Sequence, residues 1–135
     1  MENETIIISL GGSLVVPEEV DVVFLREFRD LILSHVATGK KFVLITGGGK
    51  ICRKYQKAAK ELSNPSNEDL DWIGIASLRL NAELVRTMFG EYAHETVVNN
   101  LSEPLEFNKP IIIGAAYEPG QSSDTDAVFA AKNLG

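Results

Sequence analysis

Phe42-Val43-Leu44-Ile45-Thr46-Gly47-Gly48-Gly49-Lys50-Ile51-Cys52-Arg53-Lys54 is the stretch on which the reading of this chain turns. Its apolar run predicts a buried strand, Lys41 to Thr46. Three glycines follow, where an ordinary turn needs one or two, and each costs chain entropy on folding. Behind them Lys50, Arg53, Lys54 and Lys57 open a helix predicted from about Lys50 to Leu62. Strand, glycines and basic helix start together make a phosphate site. Glycine lets main-chain N–H groups come close to an anion, and the helix N-terminus adds partial positive charge. The run is not a P-loop, because Gly-x-x-x-x-Gly-Lys-Ser/Thr is absent. Nor is it the dinucleotide-binding Gly-x-Gly-x-x-Gly, because Cys52 holds the third glycine's place.

Upstream, Thr5-Ile6-Ile7-Ile8 predicts a strand buried on both faces, ended by Gly11-Gly12-Ser13. Taken alone, that second glycine turn fits a tight strand-to-loop turn as well as a ligand loop. Two glycine loops in one chain imply two phosphates, or one phosphate in transit. Between the strands, Phe24, Leu25, Phe28, Leu31, Ile32 and Val36 fall at helical spacing, with Asp21 as N-cap and Gly39 as stop.

Downstream, Ser63-Asn64-Pro65-Ser66-Asn67 predicts a loop, and Glu68 to Phe89 a long helix capped by Asn67. That helix carries two apolar stripes. One is Leu70, Ile73, Ser77, Leu80, Leu84 and Met88; the other is Trp72, Ile75, Leu78, Ala82, Val85 and Phe89. A helix apolar on two sides is buried on two sides, and one side is expected to be a subunit interface. Glu95-Thr96-Val97-Val98 and Ile111-Ile112-Ile113 predict short strands, and a polar loop from Glu118 to Asp124 leads to a last helix, Ala127 to Asn133. Strands alternating with helices predict an α/β fold around a mainly parallel sheet. Ligands of such sheets sit at the C-terminal ends of strands, so the loops at Gly11, Gly47 and Gly120 are expected to share one edge.

At 135 residues the chain is expected to be a single domain, 1–135, large enough to bury a core. A net charge of −6 argues against a general nucleic-acid binder. Yet five of the thirteen Lys and Arg residues fall between Lys50 and Lys60, a local basic patch suited to a small anionic ligand. The single cysteine, Cys52, excludes an internal disulfide and fits a cytoplasmic location. Met1-Glu2-Asn3-Glu4 is acidic and leads into a strand, so no signal peptide is expected. The apolar runs are too short to span a membrane. No metal site is expected, because neither His35 nor His94 has a partner at ligand spacing.

Single residues weigh differently. Arg53, one turn into its helix, has a planar fork suited to bidentate phosphate contact and is read as functional, whereas Lys57 and Lys60 are read as a solvated face. Asp71 is either a surface carboxylate or an acceptor for sugar hydroxyls. Gly74 costs roughly 1 kcal/mol against alanine in mid-helix, which a close neighbour or a ligand would justify. Ser122, Ser123, Asp124, Thr125 and Asp126 exceed what capping one helix requires. Trp72 and the Met and Phe residues are read as core, and His35, His94 and Cys52 as carrying no chemistry.

In order, the pieces are Ser9-Leu10-Gly11-Gly12-Ser13-Leu14 with Val16-Pro17, then Gly47-Gly48-Gly49-Lys50 with Arg53-Lys54-Tyr55. Asp71-Trp72-Ile73-Gly74-Ile75 with Arg79-Leu80-Asn81-Ala82 follows, and last Pro119-Gly120 with Thr125-Asp126-Ala127-Val128. Together they resemble the amino acid kinase superfamily, and within it the uridylate (UMP) kinases of the archaeal-like type. The Asp71-to-Ile75 segment speaks for UMP rather than for an amino acid or carboxylate.

The resemblance implies a three-layer αβα sandwich around a mainly parallel sheet. It implies transfer of the ATP γ-phosphoryl group to UMP, giving UDP, with Mg²⁺ present, in pyrimidine nucleotide synthesis. It also implies a homo-oligomer, as in the hexamers built from dimers of this family; helix 68–89 is the expected dimer contact. By motif match, Gly11, Gly12 and Ser13 lie against the transferring group, with Gly11 and Gly12 also at the ATP phosphates. Gly48, Gly49 and Arg53 hold the UMP phosphate, and Asp71 accepts the ribose hydroxyls. Gly120, Ser123 and Thr125 close over the base and phosphate, and Asp126 organises the catalytic centre.

Two departures stand out. Many superfamily members carry a lysine two residues before the first Gly-Gly, and Ser9 stands there in this chain. In the resembled family the ATP-binding half begins where this sequence reaches Gly135, so residues 1–135 correspond to the acceptor side, with the ATP-binding part absent. Two other readings stay open: a relative acting on acetylglutamate or isopentenyl phosphate, and a non-catalytic module that binds UMP or another phosphate and dimerises.

Overall fold

A computed structural model describes residues 4–99 and 105–115. Their elements are β1 (Thr5–Leu10), α1 (Gly12–Val15), α2 (Val22–Val36), β2 (Lys41–Thr46), α3 (Gly49–Leu62), α4 (Asn67–Phe89), a 3₁₀ turn (Gly90–Tyr92) and β3 (Ile111–Gly114). The strands form a parallel sheet in the order β1-β2-β3. Thr5 stands opposite Lys41 and Leu10 opposite Thr46; Phe42 stands opposite Ile111 and Ile45 opposite Gly114. Parallel pairing requires crossovers; α2 lies on the first, and α3 and α4 lie on the second.

The central strand reads as expected: Phe42 to Thr46 are all buried. β1 is mostly half-buried, so burial on both faces holds for β2 but not for β1, which has one neighbour in the described sheet. Side chains alternate between two clusters, as strand geometry demands. Leu10, Phe42, Leu44, Ile111 and Ile113 join α2 through Leu25 and Ile32, and α4 through Ile75, Leu78, Ala82, Val85 and Phe89. Val43, Ile45 and Ile112 face the other way, against Val98, Leu105 and Phe107. The described helices that reach the sheet thus share one face of it. The expected last helix, Ala127 to Asn133, lies outside the described residues.

Helix α2 begins where its cap predicts: the Phe24 N–H donates to Asp21 Oδ1 at 3.0 Å. Beyond its end, Gly39 has φ 96°, a left-handed conformation that favours glycine. Helix α4 differs from expectation at its start. Ser66, not Asn67, is the cap: the Asp69 N–H donates to Ser66 Oγ at 3.0 Å, and the Ser66 N–H donates to Asp69 Oδ2 at 3.0 Å. This reciprocal pair satisfies two helix-end donors and leaves Asn67 already helical.

Trp72 is another correction. It is 48% exposed, not core, because the first turns of α4 pack on α3 and not on the sheet. Of the two predicted stripes, the one through Ile75 and Val85 is the core stripe; Leu80 on the other is 64% exposed. The segment 95–98 is not a regular strand either. It runs beside β3 through isolated bridges at Ala93–Ile111 and Val98–Gly114. Five residue steps on one side face three on the other, so Glu95 and Thr96 bend out of the ladder.

Candidate functional site

The loops after β1 and β2 meet at the C-terminal edge of the sheet, which parallel α/β architecture reserves for ligands. Their contact is made by backbone. A Cβ on Gly12 would stand 2.5 Å from the Gly47 carbonyl oxygen; a Cβ on Gly49 would stand 2.5 Å from the Gly12 carbonyl carbon and the Ser13 nitrogen. Gly49 also has φ 62°. Side chains at 12 and 49 would drive the loops apart, so glycine is required at both for packing alone. The Gly47 N–H donates to the Leu10 carbonyl at 3.2 Å and ties the loops once more.

Helix α4 fixes the β2 loop from behind. The Asn81 amide donates from Nδ2 to the Gly47 carbonyl at 2.8 Å, and the Thr46 hydroxyl donates to the Leu78 carbonyl at 2.9 Å. Asn81 is 2% exposed and Thr46 is fully buried. Neither received a role from the sequence. An asparagine within a helix's apolar pattern was the available signal at Asn81, since buried amides are kept only where they find partners.

Helix α3 starts at Gly49 with Gly48 as its cap, and no side chain caps it. The first N–H groups of a helix have no intrahelical partner, so α3 presents donors and its positive dipole end beside Gly11-Gly12-Ser13. Gly11 caps the short α1, and a Cβ there would meet nothing within 4 Å. Ser13 and Arg53 are exposed. Arg53 forms no ion pair among the described residues, so its guanidinium is available to an anion.

Helices α3 and α4 run antiparallel. A Cβ on Gly48 would lie 3.5 Å from Ser77 Cβ, one on Gly74 would lie 3.5 Å from Cys52 Sγ, and Gln56 Nε2 donates to the Leu70 carbonyl at 2.9 Å. Asp71 therefore sits six residues before Ser77, about 9 Å along α4 from the glycine loop at helical rise. It is exposed and has no ion pair among the described residues. Gly74 is only in ordinary contact with α3, so packing does not require a glycine there. Burial pushes the Cys52 thiol above its ordinary pKa, outweighing its hydrogen bond with Ser77 and the charge of Arg53, and keeps it protonated at neutral pH.

The structure thus brings together Gly11, Gly12, Ser13, Gly48 and Gly49, with Arg53 on the first turns of α3 and Asp71 further along the α3–α4 pair. Gly120, Ser123, Thr125 and Asp126 lie outside the described residues. On the outer side of α3 and α4, Ile51, Tyr55, Ile73, Ala76, Ser77 and Leu80 line an apolar groove of about 300 Å³.

A model of the amino acid kinase family matches residues 4–135. A uridylate kinase of Thermococcus onnurineus is 33% identical over 132 residues, which cover 96% of this chain and 57% of that protein. One of Staphylothermus marinus is 36% identical over 135 residues, covering 98% of this chain and 58% of that protein. The crystal structure of uridylate kinase from Archaeoglobus fulgidus matches with a TM-score of 0.78 at 33% identity, covering 97% of this chain and 58% of that one. The chain spans 57–58% of the length of these relatives.

Proposed function

Because the chain belongs to the amino acid kinase family, we propose that it is the acceptor side of a uridylate kinase, which holds UMP for transfer of the ATP γ-phosphoryl group. The observation that carries this reading is the backbone contact of Gly12 with Gly49. It sets two glycine loops and the uncapped start of α3 around one small space at the ligand edge of the sheet. The naming of the relatives, aligned over nearly the whole chain, points the same way.

In this reading Gly48, Gly49 and Arg53 bind the UMP phosphate, through N–H groups and a guanidinium. Asp71 accepts the ribose hydroxyls; its distance along α4 leaves room for a nucleoside between the two ends. Gly11, Gly12 and Ser13 aim their N–H groups at the phosphoryl group in transit. A UMP phosphate oxygen attacks the γ-phosphorus, the bond to the β-phosphate oxygen breaks, and UDP and ADP result. Such transfer needs little covalent help, so positioned donors and cations do most of the work. Gly120, Ser123, Thr125 and Asp126 complete the site in this proposal, over the base and at the catalytic centre.

Among the described residues no three His, Cys, Asp or Glu side chains converge as a metal site. In this reading Mg²⁺ enters on the ATP phosphates, where it offsets their charge. Among the described residues no helix is long and apolar enough to cross a membrane, and the proposed reaction belongs to the cytoplasm. The apolar groove that the exposed Leu80 and Tyr55 help to line supports a homo-oligomer paired through α4.

A second reading keeps the same site as a module that binds UMP without turnover. Incubation with UMP and Mg-ATP, followed by chromatography for UDP, separates the two. UDP supports the kinase, and UMP binding without UDP supports the module. Preference for acetylglutamate or isopentenyl phosphate over UMP would overturn both.

A further inference from the structure

We propose that Glu18 is a built-in competitor for the ligand's phosphate: it holds Lys50 until an anion arrives at the glycine loops, then yields it. The inference rests on the acceptor-site reading above and adds a control to that site. Lys50 directly follows Gly49 on the first turn of α3, and Glu18 lies on the segment between α1 and α2. Lys50 Nζ donates to Glu18 Oε1 at 3.0 Å, and Lys54 Nζ donates to Glu18 Oε2 at 3.2 Å. One carboxylate therefore engages Lys50 and Lys54 together and ties the segment after α1 to the helix that starts at Gly49.

The arrangement is suited to exchange. The three side chains are 48%, 60% and 68% exposed for Lys50, Lys54 and Glu18, and ion pairs so exposed are weak and easily remade. A phosphate monoester carries more charge than a carboxylate and more acceptor oxygens, so it outbids Glu18 for Lys50. Glu18 keeps Lys54, and the segment stays tethered while Lys50 turns to the ligand. Arg53, without an ion pair among the described residues, needs no such exchange. The site then has one cation standing ready and one held back, which lowers its affinity for weak or monovalent anions.

The test is calorimetric titration of the protein and its E18Q, K50M and E18Q/K50M variants with UMP, and with uridine as the phosphate-free control, at low ionic strength. The expected result is UMP binding about two- to fivefold tighter in E18Q, the range of an exposed ion pair. Uridine binding should not change, and the E18Q gain should vanish in the K50M background. Unchanged or weaker UMP binding by E18Q overturns the proposal. A gain that persists in the K50M background also overturns it, because removal of one negative charge at long range would then suffice. Failure of the wild-type protein to bind UMP overturns the acceptor-site reading, and this proposal with it.

Discussion

Gly12 and Gly49 touch backbone to backbone, so that a Cβ on Gly49 would sit 2.5 Å from the Gly12 carbonyl carbon. The contact makes two glycine loops, 37 positions apart in the chain, into one structural unit. Glycine at these positions serves packing first; in the proposed site it also leaves main-chain N–H groups open to a phosphate. Gly11 differs, since a side chain there would meet nothing. The three positions can therefore be separated by experiment. Gly12→Ala and Gly49→Ala should each lower unfolding free energy by about 1–3 kcal/mol through overpacking, with a further 1–2 kcal/mol or so at Gly49 for its positive φ. Gly11→Ala should leave urea unfolding unchanged, since a Cβ there meets nothing, and slow the formation of UDP from UMP and Mg-ATP. Loss of stability in Gly11→Ala, or none in Gly12→Ala, would contradict this account.

Asn81→Leu should destabilise the protein by about 1–3 kcal/mol, because the Gly47 carbonyl loses the donor held at 2.8 Å. The same variant should bind UMP less tightly, since the glycine loop loses its support from α4. Denaturant unfolding and titration on one preparation read both effects. An unchanged midpoint would remove Asn81 from the support of the loop.

Gly74→Ala tests whether a ligand, and not helix packing, requires the glycine. The contacts available to a Cβ at position 74 are ordinary, 3.5 Å to Cys52 Sγ and 3.7 Å to Gln56 Nε2. The substitution should raise stability by about 1 kcal/mol through helix propensity. If the nucleoside lies against α4 here, UMP affinity falls while stability rises. A fall in stability would show that α3 and α4 pack more closely than this structure has them.

The pH dependence of stability has a sign fixed by His94. Its Nε2 accepts the Asn108 N–H at 3.0 Å, which only the neutral ring can do. Burial, and then the nearby Lys109 ammonium, hold its pKa below the ordinary 6.5. A histidine whose pKa is depressed by folding gives its full stabilisation above about pH 6.5 and loses it as pH falls through the folded value. Thermal midpoints should therefore drop between pH 7 and pH 5 more in the wild type than in His94→Gln, whose side-chain oxygen accepts the same N–H without titrating. Equal drops in both would remove His94 as the cause.

Much of this fold could be read from residue order. The apolar run at 42–45 and the triplet Ile111-Ile112-Ile113 are strands because β-branched and aromatic residues in short runs bounded by glycine or proline have few other uses. The Asp21 cap was legible because it needs only local geometry. Where local signals compete, residue order alone does not decide between them. Ser66 and Asn67 are both good caps, and the reciprocal Asp69 partner decides for Ser66. Val97 and Val98 have strand character, but the two-residue excess opposite β3 is a property of register, which one segment does not reveal. Trp72 follows the apolar periodicity, yet its turn of α4 overhangs the sheet. In the site, the glycine loops and Arg53 were visible as residue types. The grip of Asn81 on Gly47 and of Glu18 on Lys50 joins positions more than thirty residues apart, and no spacing rule announces it.

Arg53→Ala should weaken UMP binding by about 1.5–3 kcal/mol, the range of a hydrogen bond to a charged group, and leave uridine binding unchanged. Arg53→Lys should recover part of the loss, since charge remains while the planar fork is gone. Equal losses for UMP and uridine would mean that Arg53 acts on the fold and not on the phosphate.

Calorimetric titration of the wild-type protein with UMP, set beside uridine, shows whether the paired glycine loops hold a nucleotide phosphate. UMP should bind saturably at one site per chain, with uridine bound far more weakly because it brings no phosphate to the start of α3. A folded, monodisperse sample that binds neither, or binds both alike, would contradict the claim that the paired glycine loops form a nucleotide phosphate site.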